Sequence, residues 1–245
     1  RKGKTKVQMK RPARRFVDLA SPSVYYKEKM DGTMEEIIDV KKVSKKTLGL
    51  DSTRKLVIIV MGSLGSLTMT RKLKELIPGF KNKNYQVVVV TGKGYIDDYK
   101  DVKTPDNVRI VPFLDNFINV LKDTDLIVSR AGASTIAEIT AIGLPAILVP
   151  SPYVTHNHQY MNAKELEDLG ACTIVSEDEF GKDRLISEID KLLNDSEAYS
   201  KMATASKKLG VSDLATKIYN EIRKIIGWSY EEEWIIWNDR KFKYW

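Results

Sequence analysis

Residues 56–226 predict an α/β fold, a Rossmann-like parallel sheet with helices on both faces, and three observations carry that expectation. Short runs rich in β-branched residues, LVIIVM at 56–61 first among them, are apolar at every position rather than at alternate ones. That pattern marks strands buried on both faces. Helical stretches separate these runs at short spacing, which calls for parallel strands joined by crossover helices. Several of the helical stretches stop at a glycine, the residue that most readily takes the left-handed conformation of a helix end.

The elements follow in order. The pairs Val24-Tyr25-Tyr26 and Ile37-Ile38-Asp39-Val40 flank Asp31-Gly32, a hairpin signal with arms of mixed polarity. Residues 43–49 (VSKKTLG) predict a short helix ending at Gly49. The first sheet strand is 56–61. A Gly/Ser turn leads into a helix over 70–77, ended by Pro78-Gly79. Strands are expected at 85–90, 108–111, 126–128, 146–149 and 172–175. Helices are expected at 115–121, at 134–142 before Gly143, and at 157–169 before Gly170. Three more follow at 182–193, 196–208 and 211–226. The organisation reads as a basic arm with a hairpin-like segment over 1–44, the α/β domain over 45–226, and an aromatic tail over 227–245.

Bulk properties exclude several classes. Of the 245 residues, 42% are hydrophobic and 30% charged, which argues against wholesale disorder. The apolar runs are far shorter than the roughly 20 residues that span a bilayer. The basic start is not followed by an apolar run, so no secretory signal is read there. The single cysteine, Cys172, excludes an intrachain disulfide framework and suits a reducing cytoplasm; its strand-like setting predicts an inert buried thiol. Net charge is +7, yet residues 1–15 alone hold eight Lys or Arg and no acid, leaving the other 230 near −1. That arm is either a phosphate-seeking segment, for anionic lipid or nucleic acid, or a solvated terminus. The near-neutral body makes nucleic acid the less favoured partner. Trp234, Trp237 and Trp245 lie in the tail with Trp228 close by. The tail reads as hairpin, docking peptide or interfacial segment.

Ligands of open parallel sheets bind beyond the carboxyl ends of the strands, and four turns lie there. The first is Gly62-Ser63-Leu64-Gly65-Ser66, whose glycines let backbone approach an anion and whose following helix offers unpaired N–H groups. It lacks the spacing of a Walker lysine and of GxGxxG. The second is Arg130-Ala131-Gly132-Ala133-Ser134-Thr135, again small residues before a helix start. Thr135-x-x-Glu138 fits a capping box; the functional alternative for Glu138 is a carboxylate holding both hydroxyls of a ribose. The third, Pro112-Phe113-Leu114-Asp115, offers an exposed apolar pair to stack on a planar base, or a helix entry capped by Asp115. The fourth runs from Ser151 to Gln159 and contains both histidines, His156 and His158. Such a polar, amide- and imidazole-rich segment suits sugar hydroxyls. Two histidines with no clear third ligand make a metal site the weaker reading. No Ser/His/Asp triad is evident.

Taken together, GSLGS, PFLDN, DLIVSRAGASTIAEITAIGLPAILVP and NHQYMNAKELEDLGA resemble the C-terminal half of the MurG family of GT-B glycosyltransferases, over residues 45–226. The family makes lipid II in bacterial peptidoglycan synthesis. The resemblance implies binding of UDP-N-acetylglucosamine (UDP-GlcNAc) and inversion at the anomeric carbon, with no metal or other cofactor in the donor site. It implies that Ser63, Leu64 and Gly65 contact the diphosphate or sugar, and that Phe113 and Leu114 bracket the uracil. Ala133, Ser134 and Thr135 would give helix N-terminal donors to the diphosphate. Glu138 would bind the ribose, and Asn157, His158 and Gln159 the GlcNAc hydroxyls.

The family's acceptor-binding domain, with its glycine-rich loop and catalytic base, has no counterpart in these 245 residues. A TGNPVR-type segment, whose arginine clamps the diphosphate, is also missing before KKTLGL. The expectation is donor binding without turnover unless an acceptor domain or partner chain joins. A two-chain arrangement resembles that of the eukaryotic UDP-GlcNAc transferase of dolichol-linked glycan synthesis; a non-enzymatic nucleotide-sugar module is the other alternative. The implied location is cytoplasmic, peripheral on an anionic inner membrane surface.

Overall fold

The computed structural model describes residues 26–28, 34–36, 45–61, 67–115, 117–210, 221–222 and 224–225. The chain divides into two compact units, residues 39–211 and residues 1–38 together with 212–245.

The smaller unit contains an antiparallel pair, β1 (Tyr26–Glu28) and β2 (Met34–Glu36), with Tyr26 opposite Glu36 and Glu28 opposite Met34. The hairpin is there, but its strands lie closer to Asp31-Gly32 than 24–26 and 37–40 predicted. In a charged segment, β propensity is a weak guide to where pairing begins. The expected helix over 211–226 falls mostly outside the described residues; the four that are described are helical.

The larger unit opens with a 3-10 turn over Lys45–Leu48 that ends at Gly49, φ 69°. Six strands follow: β3 (Lys55–Val60), β4 (Tyr85–Val90), β5 (Val108–Val111), β6 (Leu126–Ser129), β7 (Ala146–Leu148) and β8 (Cys172–Ile174). All five neighbouring pairs are parallel, in the order β5-β4-β3-β6-β7-β8. The helices are α1 (Leu67–Leu76), α2 (Phe117–Leu121), α3 (Ala133–Ile142), α4 (His158–Asp168), α5 (Lys182–Asn194) and α6 (Ser196–Leu209). This is the doubly wound α/β sheet that the sequence predicts.

The apolar runs explain the layers. Along β3, Val57 and Ile59 point into one core with Leu73 of α1 and Ile189 of α5. Leu56 and Ile58 point into the other, with Leu121 of α2, Ile139 of α3 and Leu166 of α4. Alternate side chains of one strand thus feed two cores, so every position had to be apolar. Each fully buried Ile or Leu contributes about 1.5–3 kcal/mol.

The strand order has one consequence for ligands. The chain lays down β3, β4 and β5 outward in one direction, then returns past β3 to lay down β6, β7 and β8 in the other. The direction switches between β3 and β6, whose last residues pair Val60 with Ser129. A crevice opens at such a switch point, beyond the carboxyl ends of the strands.

Candidate functional site

The turn after β6 is built around a helix start that no side chain of the described residues is seen to cap. Gly132 is the N-cap of α3, with φ −72° and ψ 145°, and having no side chain it gives the first turn no cap bond. The first N–H groups of α3 and the positive end of its dipole therefore face the switch point, the arrangement that suits an anion. Ala133 and Ser134 are exposed and Thr135 is half-buried. A Cβ added to Gly132 would meet nothing within 4 Å, so the space before the helix is open.

This geometry corrects one expectation. Thr135-x-x-Glu138 is not a capping box, because the helix begins at Ala133 and Thr135 is already its third residue. The extended Gly132 places the N-cap three residues before the one that the Thr135-x-x-Glu138 pattern suggests. Glu138 instead lies a turn inside the helix and is 9% exposed.

The turn is held from three sides. Arg130 donates from Nη1 to the carbonyl oxygen of Val149 at the end of β7, 3.1 Å. Its Nη2 lies 2.8 Å from the carboxylate of Glu177, beyond the end of β8. Asn162 of α4 donates from Nδ2 to the carbonyl oxygen of Ala131, 3.2 Å. Arg130 belongs to the quoted turn, but neither Glu177 nor Asn162 was singled out from sequence. Their contacts close over 47 and 31 residues, which no local pattern reports.

The loop between β7 and α4 carries the histidine segment. His156 (φ 54°, ψ 22°) and Asn157 (φ 52°, ψ 30°) are consecutive residues in the left-handed region. Asn and His are among the side chains that tolerate this conformation best, at roughly 1–3 kcal/mol each. Gln159 accepts the Ser151 N–H on Oε1, 2.9 Å. A backbone N–H can only donate, so the amide oxygen faces Ser151 and the Gln159 NH2 faces away. His158 Nδ1 lies 2.9 Å from the Thr155 carbonyl oxygen, which can only accept. Nδ1 then carries a proton, the tautomer in which Nε2 is the nitrogen that can accept. Asn157 and His158 are exposed and Gln159 is half-buried.

At the end of β5 the predicted exposed pair is split. Phe113 is 53% exposed, with the Lys93 ammonium 5.2 Å from its ring centroid. Leu114 is only 5% exposed and packs in the core beneath the turn. Successive residues there point to opposite sides, so only one of the two side chains is free to stack. Helix α2 begins at Phe117 rather than at 115. Ser63, Leu64 and Gly65 lie outside the described residues, in the stretch between buried Met61 and the start of α1 at Leu67.

Two further observations bear on chemistry. Cys172 is buried, donates from Sγ to the Ala163 carbonyl oxygen, and burial pushes its thiol up to about 12. It is a packing residue, not a nucleophile. Among the described residues no group of three or more His, Cys, Asp or Glu is placed to hold a metal ion, and no helix is long and apolar enough to cross a membrane.

Residues 56–218 match the glycosyltransferase family 28 C-terminal domain. The chain belongs to that family. Among the relatives of this family 28 domain is the UDP-N-acetylglucosamine–N-acetylmuramyl-(pentapeptide) pyrophosphoryl-undecaprenol N-acetylglucosamine transferase of Bacillus pumilus. It is 40% identical over 195 residues, covering 78% of this chain and 54% of the relative. The enzyme of the same name from Leuconostoc citreum is 42% identical over 185 residues, covering 73% and 50%. The chain spans about half the length of the curated relatives it matches. Among solved structures, Acinetobacter baumannii MurG superposes with a TM-score of 0.62 at 23% identity, covering 75% of this chain and 53% of that one. The glycosyltransferase VinC, solved in complex with dTDP, gives 0.60 at 20% identity, covering 75% and 44%. These structural likenesses show that the family 28 domain has the fold of the C-terminal half of a GT-B enzyme.

Proposed function

We propose that this family 28 domain binds UDP-GlcNAc and is the donor half of an inverting transferase that passes GlcNAc to a lipid-linked acceptor. The observation that carries the reading is the start of α3 at the switch point, begun by the side-chain-free Gly132, with Glu138 buried one turn below it. The relatives at 40–42% identity, named as GlcNAc transferases, supply the substrate class.

In this reading the N–H groups of Ala133, Ser134 and Thr135 meet the diphosphate, aided by the helix dipole. Ser63, Leu64 and Gly65 close on it from the turn after β3. Glu138 accepts from the ribose hydroxyls. Phe113 stacks on the uracil, and Leu114 contributes its backbone rather than its buried side chain. Asn157, His158 and Gln159 receive the sugar, where the outward NH2 of Gln159 donates and Nε2 of His158 accepts. Backbone dipoles and side chains meet the charge of the donor, so the reading needs no metal.

The chemical step is a single displacement. The acceptor oxygen bonds to the anomeric carbon as the bond from that carbon to the β-phosphate oxygen breaks. UDP leaves with the electron pair, and the acceptor proton passes to a base in the acceptor-binding half. The donor domain contributes by stabilising the charge that grows on UDP. Such an enzyme would work at the inner face of the plasma membrane, where its lipid acceptor is embedded.

Incubating the 245-residue chain with labelled UDP-GlcNAc and lipid acceptor tests the half-enzyme reading. No labelled product is expected from this chain alone, and product on adding an acceptor-binding half. Turnover by the chain alone would refute it.

A further inference from the structure

We infer that Arg130 and Glu177 form a positioning pair that sets the donor-binding turn; the inference rests on the donor-site reading above. Their side chains are 11% and 5% exposed. Arg130 stands at the head of the RAGAST turn and reaches both the end of β7, through Val149, and the segment after β8, through Glu177. Lys72 of α1, the helix that follows the first glycine turn, donates to the Glu177 carbonyl oxygen. One guanidinium and one acidic residue therefore tie together the exits of β6, β7 and β8 and the helix that starts after β3. Of these, the exit of β6 and the helix after β3 flank the switch point, and the exits of β7 and β8 follow beside them in the sheet.

The pair is poorly suited to stabilising the fold. Although Nη2 lies 2.8 Å from a Glu177 oxygen, neither carboxylate oxygen receives an aligned hydrogen bond from a described residue. Burying a carboxylate with incomplete hydrogen bonding is unfavourable, and well-packed apolar replacements of buried ion pairs are often neutral or stabilising. What such a pair supplies here is direction. The planar guanidinium can hold Val149 and Glu177 at once only if the turn after β6 leaves the sheet on one path, and that path aims the first N–H groups of α3.

The test separates position from stability. Arg130→Met, Glu177→Leu, the double variant and Arg130→Lys are made in the full chain. Each is measured for melting temperature and for UDP affinity by calorimetry. Each single apolar variant strands one partner and is expected to lower the melting temperature. The double variant is expected to recover that loss and still bind UDP about tenfold more weakly than the parent. Arg130→Lys keeps the charge but cannot span both partners, so it is expected to fold and to bind several-fold more weakly. Parental affinity, within twofold, in the folded double variant or in Arg130→Lys would overturn the inference while leaving the donor-site reading intact. Failure of the parent chain to bind UDP would overturn both.

Discussion

Asn162 donates its side-chain N–H to the carbonyl oxygen of Ala131 across 3.2 Å, joining the helix that follows the histidine loop to the turn that precedes α3. Ala131 is fully buried. The bond fixes the distance between the residues assigned to the sugar and those assigned to the diphosphate. Asn162→Ala leaves a buried carbonyl oxygen without this donor, a loss of about 1–3 kcal/mol that urea unfolding would register. Affinity for UDP-GlcNAc is expected to fall more than affinity for UDP, because only the sugar donor spans both segments. Equal losses for the two ligands would count against this coupling.

Glu138 is expected to read the ribose. Because α3 begins at Ala133, the residue is not the acidic partner of a capping box. Glu138→Gln is expected to bind UDP several-fold more weakly and to lose any preference for UDP over 2′-deoxy-UDP. A variant that keeps the parental preference would remove Glu138 from the ribose site.

Gly143 ends α3 at φ 75°, and a Cβ there would lie 2.8 Å from Cβ of Lys207 on α6. Gly143→Ala meets both the left-handed penalty, about 1–2 kcal/mol, and that contact. The melting temperature is expected to drop while UDP affinity of the folded protein stays at the parental value. The two readouts together distinguish a packing glycine from a ligand-contacting one.

The thiol of Cys172 is shifted from 9.0 to about 12 by burial. The folded state therefore holds its proton over a range in which the unfolded state gives it up. The contribution to stability is whole below about pH 9 and is lost as pH rises toward 12. Stability measured across that range is expected to fall more steeply in the parent than in Cys172→Ala, and alkylation of the native thiol is expected to be slow. Rapid modification of folded protein would contradict the burial.

Much of the fold is legible in the sequence because it is written in local, periodic signals. Residues 85–90 and 108–111 were bounded correctly from composition alone, and Gly49, Gly143 and Gly170 mark real left-handed ends. The failures share a cause. An apolar run does not say which way each residue faces, so Phe113 and Leu114 looked alike although the fold buries one and exposes the other. A Thr-x-x-Glu spacing does not say where its helix begins, and Gly132 moved that point. Contacts such as Arg130 with Glu177 exist only once β6 and β8 stand in one sheet. Residues 63–65 and both termini, where further expectations were placed, lie outside the described residues.

Everything proposed for this domain depends on its holding a nucleotide-sugar donor at the start of α3. A calorimetric titration of the 245-residue chain with UDP-GlcNAc tests it most directly. Saturable one-to-one binding is expected, weakened by Glu138→Gln. No heat of binding at millimolar UDP-GlcNAc would contradict it.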